Sequence, residues 1–353
     1  MRVVDLFCGT GGFSRGAHLA GLNVVQAYDN DPVLTSSFAL NFPDTPITLA
    51  DVSELSGAEV LRHTNSLIDG LIGGPPCQGF SMIGRRDAKD PRSALVNHFF
   101  RLVAELSPTF FAMENVVGIS QGESRRILDA GLERVPEHYQ VSDPIVLDAA
   151  DFGAPTRRRR VFIIGIDNRR GSMPDIDAMR TVPGVTVRDA IEDISNAVCA
   201  GTDEAGFDLW QLPDDSSLSK YAIAMRSDDS SFTGNRRTKH CERVRKRFSE
   251  LEPGAIDKVG RHQRLEWNGR CPTLRAGTGS DKGSYQSVRP IHPGEPRVIT
   301  VREAARLQGF PDSHRFHPTI WHSFRMIGNS VSPFMGSAVL SAISSNCEAR
   351  ESV

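Results

Sequence analysis

The stretch Val3-Val-Asp-Leu-Phe-Cys-Gly-Thr-Gly-Gly-Phe13 decides the fold. Residues 3–7 are a compact apolar run with strand character, the glycines of residues 9–12 break it, and residues 13–20 can start a helix. The alternation continues outward. Residues 24–28 read as a second strand ending at Asp29-Asn30-Asp31. Asp31 before Pro32 is a helix start, an N-cap acceptor followed by a proline at the first helical position. Residues 47–50 lead to Asp51, residues 67–72 to a Pro-Pro-Cys turn, residues 109–113 to Glu114, and residues 161–166 form a further strand. Leu95, Phe99, Leu102 and Leu106 recur at helical spacing and make one apolar face, with Phe99 and Phe100 in the core. Strands alternating with helices predict an α/β fold, a mainly parallel sheet with helices on both faces. Ligands in that architecture sit beyond the carboxyl ends of the strands.

The nine residues Gly73-Gly-Pro-Pro-Cys-Gln-Gly-Phe-Ser81 carry the chemistry. Glycines and prolines fix an irregular backbone that presents Cys77 just past a strand end. A buried structural thiol behaves as a small apolar side chain and needs no such frame. A nucleophilic cysteine does, because it must be held, partly exposed and close to groups that stabilise its thiolate. Glu114 ends the strand of residues 109–113 and opens towards the same side. A glutamate beside apolar strand residues is partly desolvated, so its pKa should rise and it can donate a proton. Arg157 to Arg160 come just before the strand at residue 161, where a guanidinium can orient a substrate carbonyl.

The glycine-rich turn after the first strand lacks the G-x-G-x-x-G spacing of a dinucleotide site. Its backbone can approach a ligand closely, Asp29 can take paired ribose hydroxyls, and Asp51 can accept from an adenine amino group. An adenosine-containing cofactor without phosphates fits these elements.

Composition bounds the rest. The chain has 353 residues, 39% hydrophobic and 24% charged, with a formal net charge of −2, so a nucleic-acid surface must be local. No apolar run reaches membrane-spanning length, and with Met1-Arg2 leading straight into a strand no signal peptide is expected. The six cysteines are scattered without a C-x-x-C pair, which favours a reducing compartment and argues against zinc. Histidines 240, 262, 292, 314, 317 and 322 lack metal-ligand spacing and are expected on the solvated surface. From residue 171 to 297 periodicity weakens and Arg236, Arg237, Lys239, Arg243, Arg245, Lys246 and Arg247 crowd together, a phosphate-contacting surface beside a catalytic domain. Thr300-Val-Arg-Glu303 is a capping-box start for a helix to Gln308, and Ser332-Pro333 starts another to about residue 345.

In chain order, the motifs Asp5-Leu-Phe-Cys-Gly-Thr-Gly-Gly-Phe-Ser14, Gly73 to Ser81, Asp90-Pro-Arg-Ser93, Met113-Glu-Asn-Val116, Phe152-Gly-Ala-Pro-Thr-Arg-Arg-Arg-Arg160, Arg302-Glu-Ala-Ala-Arg-Leu-Gln-Gly-Phe-Pro311 and Gly328-Asn-Ser-Val331 resemble those of the cytosine-5 DNA methyltransferases over almost the whole chain. The resemblance implies the Rossmann-like class I methyltransferase fold with a smaller, irregular target-recognition domain. The expected division is 1–170 catalytic and cofactor-binding, 171–295 target recognition, and 296–353 a return segment completing the first domain.

It also implies S-adenosylmethionine as cofactor, S-adenosylhomocysteine as product, and no metal. Cofactor contacts would come from Phe7, Gly9, Thr10, Gly12, Asp29, Asn30, Asp51, Val52, Gly74, Pro76, Leu95, Asn329, Ser330 and Val331. Catalytic roles would fall to Cys77 as nucleophile, Glu114 at ring nitrogen 3, Arg160 at the ring carbonyl, and Arg158 supporting the glutamate and the loop. Contacts to double-stranded DNA would come from Gln78, Ser81, Arg236, Arg237, Arg243, Thr273 and Arg275. A monomer acting in the bacterial cytoplasm at the nucleoid is expected, either in restriction-modification with a cognate restriction endonuclease as partner or as an orphan methylase, and without a membrane. Two positions depart from the pattern: Thr156 stands where glutamine is usual, and Arg159 where glutamate is common. Altered loop packing, not lost catalysis, is the expected consequence. A dinucleotide oxidoreductase, an RNA methyltransferase of the same fold and a non-catalytic DNA-binding module are the rival readings.

Overall fold

The computed structural model describes residues 1–76, 94–180, 184–214, 218–277 and 288–349. They form two compact units: one of Met1–Asp148, Arg159–Arg180 and Pro333–Val353, the other of Ala149–Arg158 and Thr181–Ser332.

The first unit is built on an eight-stranded sheet. Its elements in chain order are β1 (Arg2–Leu6), α1 (Gly12–Leu19), β2 (Asn23–Asp29), α2 (Phe38–Asn41), β3 (Ile47–Leu49), α3 (Gly57–Thr64), β4 (Gly70–Gly73), α4 (Ala94–Leu106), β5 (Phe110–Asn115), α5 (Gly122–Leu132), β6 (Tyr139–Val141), β7 (Ile145–Asp148) and β8 (Arg159–Asp167). Strand order is β3-β2-β1-β4-β5-β8-β6, with β7 also paired to β8. From β3 to β5 every pair is parallel, while β8 runs antiparallel to β5, β6 and β7. Parallel pairs thus predominate, as the sequence suggested, and the antiparallel β8 makes the sheet mixed at one side. After α5 the chain turns back through β6 and β7, and it enters β8 from the end opposite to that a helical crossover would give.

Side-chain alternation assigns the two faces. Val161 and Ile163 join a buried cluster with Phe99, Phe100, Leu102 and Phe111 under α4, whereas Phe162 between them meets Phe13 of α1 edge to face at 6.1 Å. On the α1 face the chain closes with α11 (Pro333–Ser344). A Cβ at Gly16 would lie 2.9 Å from Ser337 N and 3.0 Å from Pro333 O, so this glycine lets the two helix backbones touch.

Some local expectations shift. Asp31 Oδ1 does accept the N–H groups of Val33 and Leu34, at 2.9 and 3.0 Å, but only turns follow until the short α2. The strand expected from residue 67 begins at Gly70, and Leu67 is exposed.

The second unit contains α6 (Val187–Ile191), a three-stranded antiparallel sheet of β9 (Val198–Thr202), β10 (Asp208–Gln211) and β11 (Ser231–Thr233), and the helices α7 (Lys220–Met225), α8 (Glu242–Ser249), α9 (Val301–Gln308) and α10 (Ile320–Asn329). The capping box at α9 forms: Glu303 N donates to Thr300 Oγ1 at 3.2 Å, and Thr300 N to Glu303 Oε2 at 2.8 Å. Every residue of α9 is buried. Its charged side chains are satisfied inside the unit, Glu303 by a two-pronged bond from Arg297 at 2.8 and 2.9 Å, Arg306 by Asp312 and Asp193 at 2.6 Å each. Arg302 donates to the carbonyls of Thr233, Pro311 and His314. Buried charges are tolerated only when paired in this way.

Two histidines expected at the surface are buried here. His292 Nδ1 accepts the N–H groups of Gly294 and Glu295, at 3.1 and 3.0 Å, and His314 packs against Phe310 and Phe316. The stretch Ile320–Ser344 is long and apolar enough on average to cross a membrane (mean hydropathy 1.2), although polar residues such as Arg325 and Asn329 interrupt it. It is divided into α10 and α11 around Ser330-Val331-Ser332, and 72% of its most apolar window is buried, as in a soluble core.

Candidate active site

The register levels the carboxyl ends of the parallel strands. Leu6 pairs with Tyr28 on one side and Gly73 on the other, Asp29 with Leu49, and Gly73 with Met113. The residues that follow these ends, Phe7 to Gly12, Asn30, Asp51 with Val52, Gly74 to Pro76 and Glu114, thus emerge along one rim of the first unit.

At β1 the turn is tight. Phe7, Gly9 and Gly11 all have positive φ, and Gly11 N donates to Cys8 O at 2.8 Å. A Cβ at Gly11 would overlap the Phe42 ring, while one at Gly9 would meet nothing within 4 Å, which leaves open space above that peptide. Thr10 is buried with its hydroxyl 3.3 Å from Ser37, and Gly12 opens α1. Asp29 is buried and takes Gly9 N at 2.9 Å on one oxygen and Asp31 N at 2.9 Å on the other. Burial raises its pKa against those bonds. Carboxylate oxygens carry further lone pairs, so Asp29 retains acceptor capacity towards the open side. Deeper on β1, Asp5 accepts Ser14 Oγ at 2.6 Å and is pushed by burial up to about 7.

Asp51 is exposed, and the backbone N–H of Ser53 at 2.9 Å helps hold its carboxyl below the usual range. The 51–55 turn is clamped from α4: Arg101 donates to the carbonyls of Val52 and Leu55 at 3.1 and 2.8 Å. Leu95 lies in the first turn of α4, half-buried.

Glu114 is 7% exposed at the end of β5, and Arg160, near the start of β8, lies with Nε 2.9 Å from its Oε1. A Cβ at Gly74 would sit 3.3 Å from the other carboxyl oxygen, so the glycine admits the Pro-Pro turn against this carboxylate. Asn115 fixes the same turn, donating Nδ2 to Pro75 O at 3.0 Å. No role was assigned to Asn115 from sequence, although its place beside Glu114 in a quoted motif was a signal. Cys77, Gln78 and Ser81, with residues 90–93, lie outside the described residues. The other cysteines of the first unit are poor nucleophiles: burial pushes the Cys8 thiol well above its ordinary value and Cys347 to about 11. Among the described residues, no group of three or more His, Cys, Asp or Glu could hold a metal ion.

The remaining candidates belong to the second unit. Arg158 is fully buried and donates to the carbonyls of Leu274 (3.3 Å), Gly328 (3.0 Å) and Ser330 (2.6 Å). Asn329 ends α10, followed by Ser330 and Val331, both buried. Thr156 is buried, with Oγ1 3.3 Å from Cys271 O, and Thr273, exposed, donates Oγ1 to Arg157 O at 2.6 Å. Arg236, Arg243 and Arg275 are exposed, and Arg236 and Arg243 have no ion-pair partner among the described residues. Arg237 instead meets Glu295 at 3.1 Å, and Arg247 meets Asp257 at 2.7 Å. The basic run is thus partly neutralised by its own unit.

Comparison with known proteins agrees with this geometry. The family model for C-5 cytosine-specific DNA methylases matches residues 1–345. The chain is 40% identical to the type II methyltransferase M.XorII of Xanthomonas oryzae pv. oryzae, covering 95% of this chain and 82% of the relative. It is 32% identical to M.DdeI of Desulfomicrobium norvegicum over 98% and 88%. Among solved structures, a prophage-encoded protein of E. coli assigned as a DNA modification methyltransferase superposes with a TM-score of 0.85 at 38% identity, covering 98% of this chain and 99% of that one. With its glycine turn, its Glu114–Arg160 pair and its matched length, the chain belongs to the C-5 cytosine-specific DNA methylases and is a DNA cytosine-5 methyltransferase, similar to enzymes named as type II methyltransferases.

Proposed function

We propose that the chain methylates carbon 5 of a cytosine flipped out of a specific duplex DNA sequence, using S-adenosylmethionine and a transient covalent bond from Cys77. The observation that carries this reading is the Glu114–Arg160 pair, 2.9 Å apart at the mouth of the Pro-Pro turn that leads into Cys77.

The residues present suit the cofactor. The open space at Gly9, the spare acceptor capacity of buried Asp29 and the exposed carboxylate of Asp51 match a nucleoside with ribose hydroxyls and an amino group. Phe7, Thr10, Gly12, Asn30, Val52, Gly74, Pro76 and Leu95 would complete its surroundings, with Asn329, Ser330 and Val331. When bound, S-adenosylmethionine supplies an electrophilic methyl group.

The chain's own residues prepare cytosine to receive it. Carbon 5 is a poor nucleophile because the ring is electron-poor. The Cys77 thiolate adds to carbon 6, forming an S–C bond and shifting an electron pair towards carbon 5. Glu114 holds a proton at ring nitrogen 3, and Arg160, already orienting that carboxyl, holds the ring carbonyl at position 2. Once carbon 5 has taken the methyl group and lost its proton, the S–C bond breaks and Cys77 leaves. A free cysteine has a pKa of about 8.5, so nearby arginine charge is needed to raise its thiolate fraction.

Flipping the base costs a few kcal/mol, on the order of what a few phosphate and groove contacts offset. Gln78 and Ser81 would fill or close the site, while Arg236, Arg237, Arg243, Thr273 and Arg275 would grip the duplex. The names of the type II relatives favour a role beside a cognate restriction endonuclease acting on the same site, with an orphan methylase as the alternative. Base-resolution bisulfite sequencing of DNA from a methylation-deficient bacterial host tests the reading, comparing the intact chain with Cys77→Ala. Protected cytosines confined to one short sequence, and absent with the variant, are expected. No protection from soluble intact protein would refute the assignment of DNA as substrate.

A further inference from the structure

Arg158 stands apart from its neighbours in the arginine run because none of its exposure is left. Its Nη atoms reach three backbone carbonyls that belong to two different stretches of the second unit. Leu274 lies in segment 271–276, which is bonded to residues 155–157 by Arg157 N to Cys271 O (2.8 Å) and Cys271 N to Pro155 O (2.9 Å). Gly328 and Ser330 flank Asn329 at the carboxyl end of α10. The two stretches also touch directly, since a Cβ at Gly328 would overlap the backbone of Arg275 and Ala276. One buried guanidinium therefore caps the end of a helix and pins a neighbouring segment to it, with charge-assisted bonds that are stronger than neutral ones. Ser330 O takes a second donor, Gln308 Nε2 at 3.1 Å, which bonds nothing in segment 271–276 among the described residues.

We propose that Arg158 is a positioning residue that makes cofactor binding and DNA binding depend on one another. The inference rests on the reading above, in which Thr273 faces the DNA backbone and residues 329–331 face the cofactor. Displacement of either stretch drags the other through the shared guanidinium, so ordering residues 329–331 orders Thr273 and Arg275 as well. Arg158 touches neither ligand in this scheme. Its contribution is a coupling between sites, and by linkage it acts equally in both directions.

The test measures that coupling in the full-length chain. Affinity for S-adenosylhomocysteine is titrated with and without sheared genomic DNA from a methylation-deficient host, and affinity for that DNA with and without S-adenosylhomocysteine. The intact chain should show mutual tightening of about fivefold or more, the lower end of usual allosteric couplings. Arg158→Gln should bring the ratio below about twofold, and Arg158→Lys, which keeps the charge but not the fork, should fall between. Gln308→Met should lower thermal stability while leaving the ratio intact. A loss of stability in Arg158→Gln with the ratio preserved would show a structural role only and overturn the proposal. A full ratio in Arg158→Lys, or no coupling in the intact chain, would do the same. Failure of the intact chain to bind S-adenosylhomocysteine at all would instead remove the cofactor reading beneath it.

Discussion

Replacing Asp5 by asparagine tests the electrostatics behind the glycine turn. Asp5 is 1% exposed, and its pKa rises from 3.8 to about 7 through burial first and the nearby Asp29 charge second, against the hydrogen bond from Ser14. A carboxyl whose folded pKa exceeds its unfolded one favours the fold in its protonated form. That contribution is complete below pH 3.8 and is lost as pH rises through about 7. The difference, 7 − 3.8, corresponds at about 1.36 kcal/mol per unit to roughly 4 kcal/mol between those limits. Asparagine is nearly the same shape, can still accept from Ser14 and never ionises. The variant should therefore lack this slope and, at pH 8, be the more stable protein by up to about 4 kcal/mol. Urea unfolding from pH 4.5 to 8, read by pulse-labelled amide exchange in β1 and α1, isolates the first unit, because Trp210, Trp267 and Trp321 all report on the second. Asp29 shifts in the same direction and stays in both proteins, so only the difference between them is informative. Parallel stability curves for the two proteins would refute the reasoning.

Three further outcomes follow from the geometry. Arg160→Met leaves the Glu114 carboxylate buried without its cation, so turnover should fall by about 100-fold or more and the first unit should lose about 3–5 kcal/mol, measured by methyl-transfer kinetics and urea unfolding. Thr156→Gln must fit a longer side chain against Cys271, which should cost about 1–3 kcal/mol of stability in thermal melts. Its turnover should not rise, and a tenfold increase would contradict the packing account. Arg236→Ala combined with Arg243→Ala should weaken DNA binding and flatten the dependence of log affinity on log salt by about 2, since each lost phosphate contact removes about 0.9. An unchanged slope in filter binding would take these arginines out of the interface.

Much of the fold was legible because its signals are local. In the first unit Gly9 and Gly11 interrupt an apolar strand, and Phe99 with Leu102 and Leu106 mark one buried helix face; in the second, Thr300 and Glu303 cap a helix reciprocally. The reversed direction of β8 was not legible, since periodicity is the same for parallel and antiparallel strands and only the path through β6 and β7 sets it. Glu114 and Arg160 could be nominated from residue type and position. Their pairing depends on the register of β5 against β8, which is a tertiary fact. The buried state of His292 was missed for the same reason, since Trp267 arrives from elsewhere to cover it, whereas His314 packs between its own sequence neighbours Phe310 and Phe316, a local signal outweighed by the polar residues around it. Arg158 and Arg160 are indistinguishable as letters in a run of four, and only burial and bonding separate a loop-pinning arginine from one facing a carboxylate.

The contact between α1 and α11 sets a timetable for biosynthesis. A ribosome releases α1 long before the helix it rests on, with every strand of the sheet after β1 in between, so for that interval the backbone around Gly16 stays without its partner. Pairings so distant along the chain are slow to form. A nascent chain would therefore have the strands of its sheet long before it has the helix that closes them, and a message cut short before residue 333 would yield a product whose first unit cannot finish folding. Premature termination should then leave no half-working modifier of the genome, only a substrate for proteolysis.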